Sequence, residues 1–482
     1  MAAIFGVGSR SFADPDLWGH LRFGLDTIES GTVIQVDPYS YLTVGQQWLN
    51  HELLSEIIFA VVWLAGDVTG LILLKTAVVL LALGITFFFL LHRKVNPIMA
   101  GILVFIAWFG LQSSLGTIRP HMFTMLFTTI VFIIISLAEL GKYRWLWILP
   151  LVFALWVNFH GGFLAGLAFL GLWTILCLII DRDKWLKIFP PVLLSFLAVL
   201  VNPYGLDLII FLLRTATVAR PEIVEWQPIR LFTDLGIFYM VLLIIGTLGF
   251  WFSRRSKSRP IIVLFVVAAI MPLVAVRHLL LFALAVLIFA GEHIADARSR
   301  ISIGKSNPSK TGGLLSYFSI FLALIFIYWG YSNSKQILIA NNPVPFFPSE
   351  IVSLIKTSGI QGNLAVEFNW GEYVIWHLGP EIQVSVDGRR ETVYSEEIYQ
   401  DNLAFLFGED GWSNLLDDYD TEIALIARNG PAYHRIKTKD DWELIYEDDT
   451  SALFASQEWP QIDRLRQHAA DFVPPPPKEV FP

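Results

Sequence analysis

Long apolar runs separated by short polar connections fill most of the first two thirds of the chain. They fall at about 69–91, 98–114, 122–138, 145–157, 164–180, 188–201, 237–252, 260–276, 279–294 and 314–331. Each predicts a transmembrane helix. The runs at 145–157 and 188–201 reach only ~20 Å at ~1.5 Å per residue, so they need flanking turns to cross a hydrocarbon layer of ~30 Å. A further apolar stretch at 50–66, interrupted by Glu56, predicts a helix lying along the membrane interface.

After Ser332 the pattern changes. Short β-rich runs at 363–368, 381–386, 422–427, 442–446 and 451–455 alternate with helical stretches at 395–407 and 412–419. The expected organisation is an outer-face loop region at 1–68, a polytopic all-α membrane domain at 69–331 and a small extracytoplasmic α/β domain at 332–457. A Pro-rich tail follows at 458–482, extended or disordered at Pro474 to Pro477. No internal repeat is visible, which disfavours inverted-repeat transporter designs.

The basic residues orient this pattern. His92-Arg93-Lys94, Lys142 with Arg144, Arg182 with Lys184 and Lys187, Arg254-Arg255 with Lys257 and Arg259, and Arg298 to Lys310 all fall on one side of the predicted membrane. That side reads as cytoplasmic. The alternate connections, the region before residue 69 and the region after 331 then lie outside, in a multi-pass protein of the plasma membrane. Met1 to Ala13 contains neither a span nor a signal peptide. An external N-terminal region therefore leads to the expectation of an earlier helix, for eleven spans in all rather than ten.

Composition agrees with a membrane body. Hydrophobic residues make up 55% of the 482, charged residues 16%, and mean hydropathy is +0.58. The net charge of −8 is unevenly placed, because 25 Asp and Glu against 11 Lys and Arg follow Ser332. No basic patch interleaved with aromatics suggests nucleic acid. The single cysteine, Cys177, excludes a disulfide within the chain.

Candidate chemistry collects at predicted outer ends of spans. Asp14-Pro15-Asp16-Leu17-Trp18-Gly19-His20 precedes Asn50-His51-Glu52, and Arg119-Pro120-His121, Asn158-Phe159-His160, Asn202-Pro203-Tyr204, Glu225-Trp226 and Arg277-His278 face the same way. Ionisable groups at the bilayer boundary are costly unless paired or wetted, so their clustering suggests a polar cavity. A carboxylate there can act as a general base toward a hydroxyl, while a guanidinium grips a phosphate bidentately. Asp14 and Asp16 together could hold a divalent cation, Mg²⁺ or Mn²⁺; no other cofactor is indicated. Against each stands a bland reading: helix capping for Asp-x-Asp, a satisfied helix-end histidine for His121 or His160, and snorkelling for Arg119 and Arg277. In the C-terminal domain, Asn369-Trp370-Gly371-Glu372-Tyr373 and Asp387-Gly388-Arg389-Arg390-Glu391 stand at strand ends. The bland reading of the latter is a turn with an arginine paired to an acid.

These motifs carry a resemblance. Pro15-Asp16-x-x-x-His20 is similar to the catalytic first-loop motif of the C-type membrane glycosyltransferases, the GT-C superfamily, and 50–66 resembles their juxtamembrane helices. DPDLWGHL, WLNHELLSE, IRPHMF, WVNFHGGFL, NPYG, VEWQP and VDGRRE together resemble a family of prokaryotic polytopic membrane proteins across nearly the whole chain.

The resemblance implies an inverting transferase that moves a sugar from a polyprenyl-phosphate donor to a glycan, lipid or protein acceptor on the outer face. Asp16 would be the base, with Asp14 as its partner or metal ligand and His20 beside them. Arg119 and Arg277, helped by His121 and His278, would hold the donor phosphate. Glu52, His160 and Glu225 would line the acceptor side, with His51, Asn158 and Tyr204 nearby. The rival readings are a transporter or flippase for a lipid-linked anionic substrate and a non-catalytic scaffold displaying the acidic domain.

Overall fold

The computed structural model describes residues 1–216, 218, 220, 223–301, 312–339, 346–476 and 479–482. Residues 302–310 of the expected inner loop and Pro477 of the tail lie outside the described residues. The chain divides into two units: Met1–Ser11 with Thr69–Lys335, and Phe12–Val68 with Gln336–Pro482.

The first unit is helical. Each of the ten apolar runs falls largely within helix, but among the described residues five helices are long and apolar enough to cross a membrane: Leu53–His92, His121–Glu139, Phe163–Ile180, Asp234–Phe252 and Val276–Arg300. Pro97–Gly110, Tyr143–Trp156 and Arg259–Leu273 are shorter apolar helices. The expected count of ten spans is therefore not established, whereas a multi-pass membrane protein is. Punctuation explains the lengths. Asn96, with Pro97 behind it, caps one helix by accepting from the Ile98 N–H, and Ser258, followed by Pro260, caps another. Leu53–His92 runs for 40 residues and breaks at Asp67, where φ is 52°; the two units meet in sequence at the same place.

The second unit is built on a five-stranded mixed sheet. Its strands are β1 (Gly362–Val366), β2 (Ile382–Val384), β3 (Ile423–Ala427), β4 (Trp442–Glu447) and β5 (Ser451–Ser456), in the order β2-β1-β3-β5-β4. β1 pairs in parallel with β2 and β3, while β3–β5 and β5–β4 are antiparallel. The alternation of β-rich and helical runs anticipates this arrangement. β3 reads Ile-Ala-Leu-Ile-Ala and four of its five residues are buried, as a central strand covered on both faces requires.

The segment Phe12–Val68 belongs to this same unit. Ser40 bridges to Val384, and its hydroxyl donates to the Ser385 carbonyl at 2.8 Å, which extends the β2 edge. The chain end returns as well: the Phe481 N–H donates to the Ile337 carbonyl at 3.0 Å, and its ring packs 4.9 Å from that of Trp18.

The helix Asp16–Ser30 is enclosed by its neighbours. Leu17, Trp18, Gly19, His20 and Leu21 are consecutively buried, whereas Asp16 before them is half-buried. Two glycines permit this: a Cβ on Gly19 would overlap the Glu372 carboxyl group, and a Cβ on Gly24 would overlap the Glu56 backbone carbonyl. Gly24→Ala is expected to destabilise the protein by about 1–3 kcal/mol, because the clash is with backbone. Gly66→Ala, where nothing lies within 4 Å, should be neutral or slightly stabilising. Thermal melts of the two variants check the pair.

Candidate functional site

In the second unit, the chemistry starts at the N-terminus of the helix Asp16–Ser30. The Asp14 carboxylate accepts from the Asp16 N–H at 3.2 Å and its carbonyl from the Leu17 N–H at 3.0 Å, so Asp14 shapes the turn that presents Asp16. One helical turn on, the His20 Nδ1 lies 3.3 Å from Glu56 and 4.0 Å from Glu52. The spacing of Glu52 and Glu56 suits one face of a helix. Asn50 ties them together: its amide N–H₂ donates to Glu56 at 2.6 Å and its amide oxygen accepts from the Glu52 N–H at 2.9 Å. His51 lies 3.7 Å from Glu52. Burial alone would depress the His20 imidazole, but the hydrogen bond to Glu56 and the charges of Glu52, Glu56 and Asp16 outweigh it and raise its pKa.

Ligand atoms of His20, Glu52 and Glu56 all lie within 4.8 Å of one another. One imidazole nitrogen and two carboxylates form a donor set that suits a divalent cation. Glu56 was not among the site residues expected from sequence, although a lone acid in an otherwise apolar helix was its signal.

Glu372 is the larger omission. It opens the short helix Gly371–Leu378, is buried, and its carboxyl group accepts from the Gly19 N–H at 3.2 Å. A methyl placed on Gly388 would lie 2.6 Å from Glu372 Oε1 and 2.8 Å from Asp16 Oδ1, so both carboxyl groups flank one small gap. Burial, followed by the charges of Asp16 and Asp387, raises the Glu372 pKa well above the ordinary range.

The Asp387–Arg390 segment has the structural role of its bland reading. Arg389 grips Asp387 with two hydrogen bonds, of 2.8 and 2.6 Å, and reaches Asp37 at 2.6 Å. The Tyr394 hydroxyl donates to Asp387 at 2.7 Å. The guanidinium carbon sits 5.2, 5.0 and 4.9 Å from the rings of Phe23, Tyr39 and Trp48.

In the first unit, a separate basic cluster surrounds Glu225. Arg119 donates to it at 2.7 Å; burial would raise its pKa, but the charges of Arg119, Arg277 and His121 lower it. Arg277 and Arg220 lie 4.4 and 3.8 Å from the ring of Trp226. Arg220 was not foreseen; it follows the helix Leu206–Thr215, which the apolar runs did not predict. Arg119 thus stands on Glu225 and Arg277 and Arg220 on Trp226, and a guanidinium is a group that can grip a phosphate bidentately.

The remaining expected residues make local contacts. His160 Nδ1 accepts from the Gly162 N–H at 3.0 Å and lies 2.9 Å from the Thr124 hydroxyl. Asn158 donates to the carbonyls of Ala154 and Val201 at 2.9 and 2.8 Å. Tyr204 is buried, and His278 lies 3.3 Å from the Met271 carbonyl.

The fold is shared with known glycosyltransferases. The apo oligosaccharyltransferase of Archaeoglobus fulgidus matches with a TM-score of 0.59 and 12% identity, over 88% of this chain and 68% of that one. The same organism's AglB in complex with an inhibitory peptide and a dolichol-phosphate gives 0.58 and 12%, over 88% and 68%; the oligosaccharyltransferase first named is also known in complex with zinc and sulfate. The arabinofuranosyltransferase AftD from Mycobacteria gives 0.50 and 12%, over 94% of this chain but 39% of its own. No protein-family model and no curated protein sequence matches the chain. These neighbours are GT-C superfamily glycosyltransferases, and at such identities the likeness is one of fold. The chain is a multi-pass membrane protein that resembles that superfamily.

The buried Glu372 yields a pH test. A carboxyl group whose folded pKa is raised weakens the fold progressively as pH climbs above its unfolded value, roughly 4.3. Glu372→Gln keeps an oxygen for the Gly19 N–H and removes the ionisation. The variant should therefore melt higher than wild type at neutral to alkaline pH, with the advantage shrinking as pH falls toward that value. A difference independent of pH would contradict the assignment.

Proposed function

We propose that the protein is an inverting membrane glycosyltransferase that moves a sugar from a polyprenyl-phosphate donor to an acceptor on the outer face of the plasma membrane. The observation that carries this reading is the fold shared with AglB over 88% of the chain, together with Asp16 at the start of an enclosed helix. A neighbour bound to dolichol-phosphate supports a lipid-linked donor. In this reading the soluble unit is extracytoplasmic, as the basic loops require.

Asp16 takes the proton of the acceptor hydroxyl, and Asp14 sets its orientation. A cation held by His20, Glu52 and Glu56, or by the Asp14 and Asp16 first expected, would neutralise developing negative charge on the donor. In the membrane unit Arg119 and Arg277, with His121 and His278, hold the donor phosphate, Arg220 adds to the same cluster, and Glu225 pairs with Arg119. Glu52, His160 and Glu225 serve the acceptor. The basic cluster would also suit a transporter of a lipid-linked anion, but such a protein has no need of the carboxyl groups gathered around Gly19.

Asp16→Asn should preserve folding and donor binding while lowering transfer by about 10²-fold or more, since the amide keeps the shape but cannot accept a proton. Arg277→Ala should weaken donor binding by roughly tenfold, the loss of one charge-assisted contact. Transfer of labelled sugar from a polyprenyl-phosphate donor, measured beside donor binding, separates the two effects. Full activity in Asp16→Asn would reject Asp16 as the base.

A further inference from the structure

The helix that begins at Asp16 also lines a cleft of about 360 Å³ farther along its length, within the same unit. Arg22, Asp26 and Glu29 give it a polar side, Trp376 gives it an aromatic wall, and Leu25, Ile28 and Leu64 complete it. Its key groups are fixed before any ligand arrives. Arg22 Nε donates to Asp26 at 2.9 Å, and the same carboxylate oxygen accepts from the Tyr39 hydroxyl at 2.8 Å. Trp376 is held edge-on by Trp63, with ring centres 6.1 Å apart at 86°, and is braced by Phe481.

The lining selects by elimination. A hydrocarbon tail would leave the Arg22–Asp26 pair and Glu29 facing an apolar partner that offers them no hydrogen bond. A phosphate would meet two carboxylates with one guanidinium that is already engaged, and a cation would meet that guanidinium. A neutral ring with many hydroxyls and an apolar C–H face satisfies every wall: its hydroxyls donate to Asp26 and Glu29 and accept from Arg22, while its C–H face packs on the indole.

We propose that this cleft is a sugar-binding subsite for a glycan acceptor. Arg22 and Glu29 stand six and thirteen positions after Asp16, about 9 and 20 Å along the axis at helical rise. A glycan whose terminal hydroxyl reaches Asp16 therefore places a sugar other than the accepting one in the cleft. The acceptor is then an oligosaccharide rather than a single sugar. That assignment rests on Asp16 being the base; sugar binding itself does not.

Saturation-transfer difference NMR on the full chain in lipid nanodiscs tests it, with methyl α-D-mannopyranoside, methyl β-D-galactopyranoside and methyl α-D-arabinofuranoside as probes. At least one glycoside should be saturated, most strongly at the C–H protons of one ring face. Trp376→Ala should weaken that binding by roughly tenfold, as loss of an aromatic anchor does. Glu29→Ala, at an exposed position that cannot disturb folding, should weaken it several-fold. Asp16→Asn should leave it unchanged. Saturation of no glycoside, binding undiminished in Glu29→Ala, or binding lost in Asp16→Asn would overturn the proposal. Sugar binding that depends on Glu29, in a protein whose Asp16→Asn form still transfers, would reject the catalytic reading and leave the cleft standing.

Discussion

The second unit depends on one constraint: the first turns of the helix Asp16–Ser30 must be enclosed while they carry charge. Enclosure requires close approach, which Gly19 and Gly24 supply by omitting side chains where Glu372 and the Glu56 backbone pass. Burial would ordinarily expel ionisable groups, because a desolvated charge costs several kcal/mol unless it finds a partner. Here each has one or more. Glu56 is met by His20 and Asn50, and Glu372 by the Gly19 N–H. Arg389 lies between Asp387 and Asp37.

That balance separates groups saturated by their partners from groups that face a gap. The Asp387–Arg389–Asp37 network is saturated by short hydrogen bonds and aromatic rings, so it holds the turn and has little capacity left for a ligand. The carboxyl groups of Asp16 and Glu372 instead converge on a gap kept open by Gly388. Burial first, and then the like charges of Asp16 and Asp387, raise Glu372 and set it apart from ordinary surface acids. In the membrane unit the guanidinium groups are partnered too: two lie against the Trp226 ring and a third pairs with Glu225.

Much of this was legible in the chain itself. The apolar runs located the membrane helices because hydrocarbon leaves backbone no other partner, but length alone did not establish how many of them span. The strands of the sheet emerged from β-branched runs at nearly their observed bounds. Asp14, Asp16, His20 and Glu52 stood out because acids and a histidine flank apolar runs, and Arg119 with Glu225 because they punctuate span ends. Sequence pattern could not show which distant segments share a unit. The enclosure of residues 12–68 with the C-terminal sheet, and hence Glu372 beside Asp16, depends on contacts across some 350 positions, as the Gly19–Glu372 hydrogen bond does. Periodicity carries no signal for such a pairing. The Trp370-Gly371-Glu372 motif marked the place without naming its partner.

The most direct measurement is the stereochemistry of transfer. Purified protein in nanodiscs, supplied with a polyprenyl-phosphate sugar isotopically labelled at its anomeric carbon and an oligosaccharide acceptor, should yield a product whose anomeric configuration, read by NMR, is inverted relative to the donor. Direct attack by a hydroxyl deprotonated by Asp16 requires that inversion. A product of retained configuration would contradict single displacement with Asp16 as the base.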